Sequence, residues 1–278
     1  MSEYRLKELQ KELIDILNGK IERPAREAQL ILMHSFGCDE LWLMMHKDEM
    51  IENANEIINK AQRRSLNEPL EYITNRVSFY SREFFIDYGA LIPRPETELL
   101  IDEVLKRIED KESRLVFAEV GVGSGIISIV LAQYLPNAEF IAVDISKDAL
   151  KIAEENIKRF GLEKRIELRH GSLLEPVKEK IDFLVSNPPY IADDAPLESN
   201  LSYEPQNALF GGKIGDEIIK KLLIEFLNRD ISFFCCEMGY DQRDKIVNFL
   251  SDKVYGNIDF YKDLSGFDRG FTVKAIDE

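Results

Sequence analysis

With 278 residues the chain is long enough for one large domain or two smaller ones, and its 45% apolar content is that of an ordinary packed protein. The formal net charge of −15, from 51 acidic against 36 basic side chains, argues against a protein that grips duplex nucleic acid, because phosphate contacts need concentrated lysine and arginine. No apolar run approaches membrane-spanning length, and Met1-Ser2-Glu3-Tyr4-Arg5 opens a charged segment without the apolar core of a signal peptide, so a cytoplasmic location without membrane contact is expected.

Residues 4–18 place Leu6, Leu9, Leu13, Ile14 and Leu17 at near-helical spacing and end at Asn18-Gly19, a common helix stop. Pro24, a favoured first-turn residue, opens a second helix through Ala28, Leu30, Ile31, Leu32 and Met33 to a stop at Gly37. Asp39 can cap a short third helix containing Leu41, Trp42 and Met45, and residues 52–66 supply another. The first seventy residues therefore read as a small helical bundle. A substrate-docking module and a stabilising appendage are both compatible with that pattern. Cys38, Cys235 and Cys236 are too few and wrongly spaced for a zinc site, and the adjacent pair lies on an apolar run that reads as strand core. His34, His46 and His170 are scattered, so no metal site is expected.

Glu68-Pro69-Leu70-Glu71-Tyr72-Ile73-Thr74-Asn75, then Val77-Ser78-Phe79-Tyr80 and Phe84-Phe85-Ile86-Asp87-Tyr88, show the alternation and aromatic content of a hairpin joining two domains. In Leu91-Ile92-Pro93-Arg94-Pro95-Glu96-Thr97-Glu98, two prolines around Arg94 extend the backbone before a helix over 97–108. Arg94 reads equally as a functional cation or as an exposed linker charge.

From Arg114 the pattern is strand, glycine loop, helix, strand: Leu115 to Val120, Gly121-Val122-Gly123-Ser124-Gly125, Ile126 to Leu135, then Phe140 to Val143 with Asp144 at the carboxyl end. This is the start of a βαβ unit. The glycines let backbone approach a ligand, Glu119 and the helix N-terminus bracket the site, and Asp144 is placed to bind ribose hydroxyls. The dinucleotide fingerprint needs a third small residue where this chain has Ile126, so the loop favours S-adenosylmethionine over a nicotinamide cofactor. Ser146 can cap a helix through Ile152 and Ile157, and Ile166-Glu167-Leu168 is a third strand. Its end, Gly171-Ser172-Leu173, offers Leu173 as an apolar face for an adenine and Ser172 as a hydrogen-bonding partner.

The apolar run Ile181 to Val185 then meets Ser186-Asn187-Pro188-Pro189-Tyr190, a buried strand ending at a rigid turn. Proline contributes no N–H, so acceptors outnumber donors. The Asn187 side-chain oxygen and the Pro188 carbonyl can together accept both hydrogens of one planar –NH2 group, on a turn stiffened by Pro189, with the Tyr190 ring packed flat behind it. A planar amide nitrogen is a poor nucleophile, and two fixed acceptors both orient it and help remove its proton. Asp193 to Ser202 reads as an exposed loop, and Tyr203 to Gly212 as a lid or a long surface connection. Helices over 216–227 and 242–252, a buried strand from Ile231 to Glu237, and strands near 257–262 and 270–275 complete an α/β sheet.

On these residues the chain resembles, over essentially its whole length, the peptide chain release factor glutamine N5-methyltransferases, the PrmC or HemK family. The resemblance rests on Pro69…Tyr72-Ile73, Ile92-Pro93-Arg94-Pro95-Glu96-Thr97-Glu98, Glu119 to Gly125, Asp144, Asn187-Pro188-Pro189-Tyr190, Glu204-Pro205…Ala208 to Gly212, and Asp263-Leu264-Ser265-Gly266…Asp268-Arg269. It implies an α/β fold: a helical substrate-docking domain over 1–72, a β-hairpin linker over 73–91, and a seven-stranded Rossmann-like class I S-adenosylmethionine-dependent methyltransferase domain over 92–278. It also implies methyl transfer from S-adenosyl-L-methionine to the glutamine amide of the Gly-Gly-Gln motif of release factors, with no stable nucleic-acid binding. Three positions depart from the family pattern: Asn75 for glycine, which still tolerates positive φ, Ser172 for an acidic residue near the adenine, and Ile214 for an acidic residue after Gly-Gly. Rival readings are methylation of an exocyclic base nitrogen (N6 of adenine or N2 of guanine) in nucleic acid, a glutamine of a ribosomal protein as acceptor, a non-catalytic scaffold, and a nicotinamide oxidoreductase.

Overall fold

The computed structural model describes residues 4–276. By its internal contacts the chain divides into two compact units, Met1–Arg76 with Glu198–Tyr203, and Val77–Leu197 with Glu204–Glu278.

In the first unit, strand β1 (Tyr4–Arg5) leads into α1 (Leu6–Leu17), followed by α2 (Pro24–Phe36), α3 (Glu40–Met45), β2 (Met50–Ile51), α4 (Ala54–Arg64) and α5 (Leu70–Thr74). The leucine stripe of α1, Leu6, Leu9, Leu13 and Leu17, is buried against Ile31 and Leu32 of α2 and Ile57 and Ala61 of α4, as a three-to-four-residue apolar period requires. Local chemistry sets the helix ends: Gly37 closes α2 at φ 61°, and the Asp39 carboxylate caps α3 by accepting from the Trp42 N–H at 2.8 Å. The segment before the hairpin is helical rather than extended. Tyr72 and Ile73 are buried from α5, and Asn75 ends it in the left-handed region at φ 54°.

The second unit begins at Val77, within the hairpin of β3 (Arg76–Phe79) and β4 (Arg82–Phe85). Its two-residue turn puts Tyr80 and Ser81 at φ 50° and 58°, the backbone that matches strand twist and that non-glycine residues adopt only when held. Here the Tyr80 N–H donates to Glu98 and its hydroxyl to Asp102, both at 2.7 Å. Then follow α6 (Thr97–Lys106), β5 (Val116–Val120), α7 (Ile126–Tyr134), β6 (Glu139–Asp144), α8 (Lys147–Arg159), β7 (Ile166–His170), β8 (Phe183–Ser186), β9 (Ile191–Ala192), α9 (Gln206–Leu209), β10 (Phe210–Gly212), α10 (Glu217–Leu227), β11 (Phe233–Glu237), α11 (Arg243–Leu250), β12 (Asn257–Lys262) and β13 (Asp268–Lys274).

Seven strands form one sheet in the order β12-β13-β11-β8-β5-β6-β7, parallel except for β13, which runs antiparallel to both neighbours. Four phenylalanines lie side by side across it. Phe117 pairs in register with Phe140 and Phe183, and Phe183 with Phe233. Their ring centroids are 4.8, 4.9 and 5.5 Å apart. Burying each ring stabilises the sheet by roughly 1.5–3 kcal/mol, and a one-residue slip would turn a whole strand's apolar set the wrong way. That register has a consequence at the other end of the strands. Val120 pairs with Val143 and Ser186, and Ser186 with Cys236, so Gly121, Asp144, Asn187 and Glu237 emerge at one level along the carboxyl edge. Cys235 and Cys236 are fully buried in β11, as their apolar setting predicts. No helix among the described residues is long and apolar enough to cross a membrane.

Candidate active site

The strand order reverses at β5, which has β6 on one side and β8 on the other, and a cleft of about 300 Å³ opens at the carboxyl ends there. This is where open α/β sheets hold ligands. The glycine loop leaves β5 with Gly121, Gly123 and Gly125 at φ 75°, 54° and 85°. Its start is held by two N–H groups, of Gly121 and Val122, on the Val143 carbonyl at 2.8 and 3.1 Å. Asn156, fully buried on α8, donates to the carbonyls of Ser124 and Phe85, each at 2.8 Å, which ties the loop to the hairpin.

Two carboxylates face this loop. Asp144 accepts from the N–H of Gly123 at 2.9 Å and of Ser146 at 2.8 Å. Burial pushes its carboxyl above the usual carboxylate range, and those backbone donors pull it back. Glu119 is fully buried. One of its oxygens takes the N–H and hydroxyl of Ser128, and the other, Oε1, is buried without a partner on the wall of the cleft. Burial pushes its carboxyl up to about 8. Across the cleft floor Leu173 sits at φ 51°, a costly conformation for leucine, next to Ser172.

The opposite wall is the turn after β8. Asn187 donates from Nδ2 to Thr97 Oγ1 at 3.0 Å, and Thr97 donates in turn to Glu237 Oε2 at 2.7 Å. Glu237 Oε1 accepts from the Tyr190 hydroxyl at 3.2 Å. Thr97 and Glu237 are 1% and 2% exposed, and burial pushes the Glu237 carboxyl up to about 7. Behind the turn the packing is backbone on backbone. A Cβ on Gly211 would lie 2.4 Å from the Pro189 carbonyl oxygen, and one on Gly215 would lie 2.5 Å from that of Tyr190. Strands β9 and β10 pair in parallel at this point, and Gln242 donates to the Tyr190 carbonyl at 3.0 Å. The segment from Glu204 to Gly212 is therefore clamped to the turn. Its Glu204, 4% exposed, pairs with Arg94 and accepts from the Ile92 N–H at 3.0 Å.

Known proteins agree with this architecture. Residues 95–203 match the Methyltransferase small domain family and residues 8–74 the PrmC N-terminal domain. A release factor glutamine methyltransferase of Koribacter versatilis is 36% identical over 255 residues, spanning 88% of this chain and 89% of its own length. One from Moorella thermoacetica is 35% identical, with 94% of each chain covered. The chain belongs to the release factor glutamine methyltransferases. The fold also recurs in the hMettl16 catalytic domain solved in complex with MAT2A 3′UTR hairpin 6, at a TM-score of 0.59 and 15% identity, covering 83% of this chain and 86% of that one.

In this methyltransferase one cleft gathers Glu119, Gly121, Val122, Gly123, Ser124, Asp144, Leu173, Asn187, Pro188 and Pro189. Gly125 and Tyr190 stand outside its lining. Gly125 begins α7 close against Ala153 of α8. The Tyr190 ring packs on the apolar core while its hydroxyl holds Glu237. Arg94, Asn207, Ala208 and Phe210 do line the cleft. Reading motifs alone misses Thr97 and Glu237 as parts of the site. The available signals are a threonine inside Pro-Arg-Pro-Glu-Thr-Glu and a carboxylate closing an otherwise apolar strand beside β8.

Proposed function

We propose that this methyltransferase moves a methyl group from S-adenosyl-L-methionine to the side-chain amide nitrogen, N5, of the Gly-Gly-Gln glutamine of peptide chain release factors. The observation that carries the reading is the fixed orientation of Asn187: its Nδ2 is committed to Thr97, leaving Oδ1 as the acceptor beside Pro188 on the cleft wall.

The residues present suit the cofactor. The unpartnered Glu119 Oε1 suits an ammonium group, the glycine loop allows close backbone approach, and Asp144 has remaining lone pairs for ribose hydroxyls. Leu173 supplies an apolar face on the same cleft. When bound, S-adenosylmethionine supplies an electrophilic sulfonium methyl and leaves as S-adenosylhomocysteine. On the other wall, Asn187 Oδ1 and the Pro188 carbonyl each accept one N–H of the substrate carboxamide, fixing its plane and drawing electron density toward nitrogen. As positive charge develops there, the same two oxygens stabilise it, and the departing proton passes from one of them to water. Pro188 and Pro189 keep the turn from relaxing, so little reorganisation accompanies the step. Residues 1–72 act in this reading as the docking module for the release factor, joined through 73–91 to the catalytic domain 92–278.

The test is mass spectrometry of a release factor after incubation with the enzyme and S-adenosylmethionine. One added methyl on the Gly-Gly-Gln glutamine is the expected result. Transfer to nucleic acid, or to a ribosomal protein and not to release factor, would overturn the substrate assignment.

A further inference from the structure

We infer that Thr97 and Glu237 are positioning residues that dictate which end of the Asn187 carboxamide faces the substrate, an inference that rests on Asn187 acting as the acceptor of the glutamine amide. An asparagine carboxamide is nearly symmetric in shape, and a half-turn exchanges an acceptor for a donor. On a site that must receive an –NH2 group, the flipped form presents the wrong polarity. Nothing in Asn187-Pro188-Pro189-Tyr190 itself prevents that flip.

The buried relay prevents it. Thr97 owns one hydroxyl proton, and the ionised Glu237 carboxylate can only accept, so that proton is committed to Glu237 Oε2 at 2.7 Å. Thr97 Oγ1 then shows only lone pairs toward Asn187, and the group 3.0 Å from it must be the Nδ2 donor. Flipping Asn187 would set two acceptors against each other where Thr97 is 1% exposed. The second Glu237 oxygen is occupied by the Tyr190 hydroxyl, so α6, β11 and the turn that carries Asn187 are joined through one carboxylate. The polarity runs in one direction, from Asn187 through Thr97 to Glu237.

The relay is also sensitive to protonation. Burial and the nearby Glu96 raise the Glu237 carboxyl to about 7, against the Thr97 and Tyr190 hydroxyls and the Arg269 guanidinium, which favour its charge. The other ionisable groups that feel it are Cys235, Cys236 and Tyr261, all buried and all raised. A protonated Glu237 becomes a donor, Thr97 is released to turn its own proton toward Asn187, and the orientation is lost.

Turnover of a release factor is measured at saturating S-adenosylmethionine for the wild type and for Thr97→Val, Thr97→Ser and Glu237→Gln, with cofactor affinity followed by calorimetry. Wild-type methylation comes first: its absence removes the reading of Asn187 itself, and its presence leaves the relay to be judged by the variants. Thr97→Val should lower kcat by roughly 10- to 100-fold, with KM for the release factor and cofactor affinity within about threefold, since neither depends on the polarity of one carboxamide. Thr97→Ser, which keeps the hydroxyl, should recover most of the loss. Wild-type kcat should fall on the acid side with an apparent midpoint near 7, and Glu237→Gln should lack that limb. Wild-type turnover in Thr97→Val, equal defects in the serine and valine variants, or an unchanged acid limb in Glu237→Gln would each overturn the relay. If the valine variant does not fold, the serine and glutamine variants decide.

Discussion

The two walls of the cleft are built in opposite ways. The wall of Gly121 to Gly125 and Asp144 is local. Its glycines, its carboxylate and the Ser146 N–H that carboxylate accepts come from one βαβ unit. The wall of Asn187 is acceptor-rich and assembled from afar. Thr97 reaches it across 90 residues, Thr97 and Glu237 are 140 apart, and Glu237 and Tyr190 are 47 apart. The first wall takes its shape from backbone torsions, and the second takes its shape from the register of the sheet that delivers Asn187 and Glu237 to the same edge. A local wall loses affinity when one group is removed. A wall assembled at a distance loses orientation.

The strongest way to expose that difference is Asn187→Ala. Removing one preorganised polar partner should cost about 2–4 kcal/mol of barrier, or roughly 30- to 1,000-fold in kcat, with cofactor affinity unchanged. Near-normal turnover with cofactor still bound would remove Asn187 from the acceptor wall. Next is Gly211→Ala, whose Cβ would press on two backbone oxygens, 2.4 Å from Pro189 and 2.5 Å from Gly215. Because neither oxygen is the end of a flexible side chain, urea denaturation should show a loss of about 2 kcal/mol, and turnover should fall with it as the turn shifts. On the local wall, Asp144→Asn should behave differently. Losing a charge-assisted pair with the Gly123 and Ser146 N–H groups should weaken cofactor binding about tenfold by calorimetry, while kcat at saturation stays within about threefold. A kcat collapse there would erase the division of labour between the walls.

A separate effect, on stability and not on turnover, concerns pH. Burial holds the Glu119 carboxyl at about 8, above the ~4.3 of a free glutamate. Between those values the folded protein keeps a proton that the unfolded chain gives up, so unfolding free energy declines as pH rises from about 4.5 to about 8 and levels off above. Glu119→Gln should flatten that decline, which amounts to about 1.4 kcal/mol per pH unit and several kcal/mol over the range, in denaturation curves taken across it. Parallel curves would show Glu119 to be ionised throughout.

The same division explains what can be read from the chain before folding. Helix ends are legible because their chemistry is short-ranged: Gly37 and the Asp39 cap lie where the sequence puts them. So is the sheet, from its buried apolar runs, and so is the glycine loop, whose permitted torsions are a property of three residues. The helix Leu70–Thr74 is harder to read. Five residues carrying Tyr72 and Ile73 suit a strand as well as a helix, and burial of those two side chains decides it. Thr97, Glu237 and the clamp of Gly211 and Gly215 on the turn depend on strand order and register, and no local window contains either. Tyr190 illustrates the limit: its position in the motif says nothing of the neighbouring β11 carboxylate that engages its hydroxyl.

The cysteines of β11 give the acceptor wall a chemical reporter. Cys235 and Cys236 are sealed in the sheet next to Glu237 and burial keeps both thiols protonated, while Cys38 on the helical unit has partial solvent access. A maleimide added to the native enzyme therefore consumes Cys38 first. Any slower uptake of two further equivalents records the moments when β11 leaves its neighbours, so the unmodified enzyme clocks the opening of the strand that anchors Glu237.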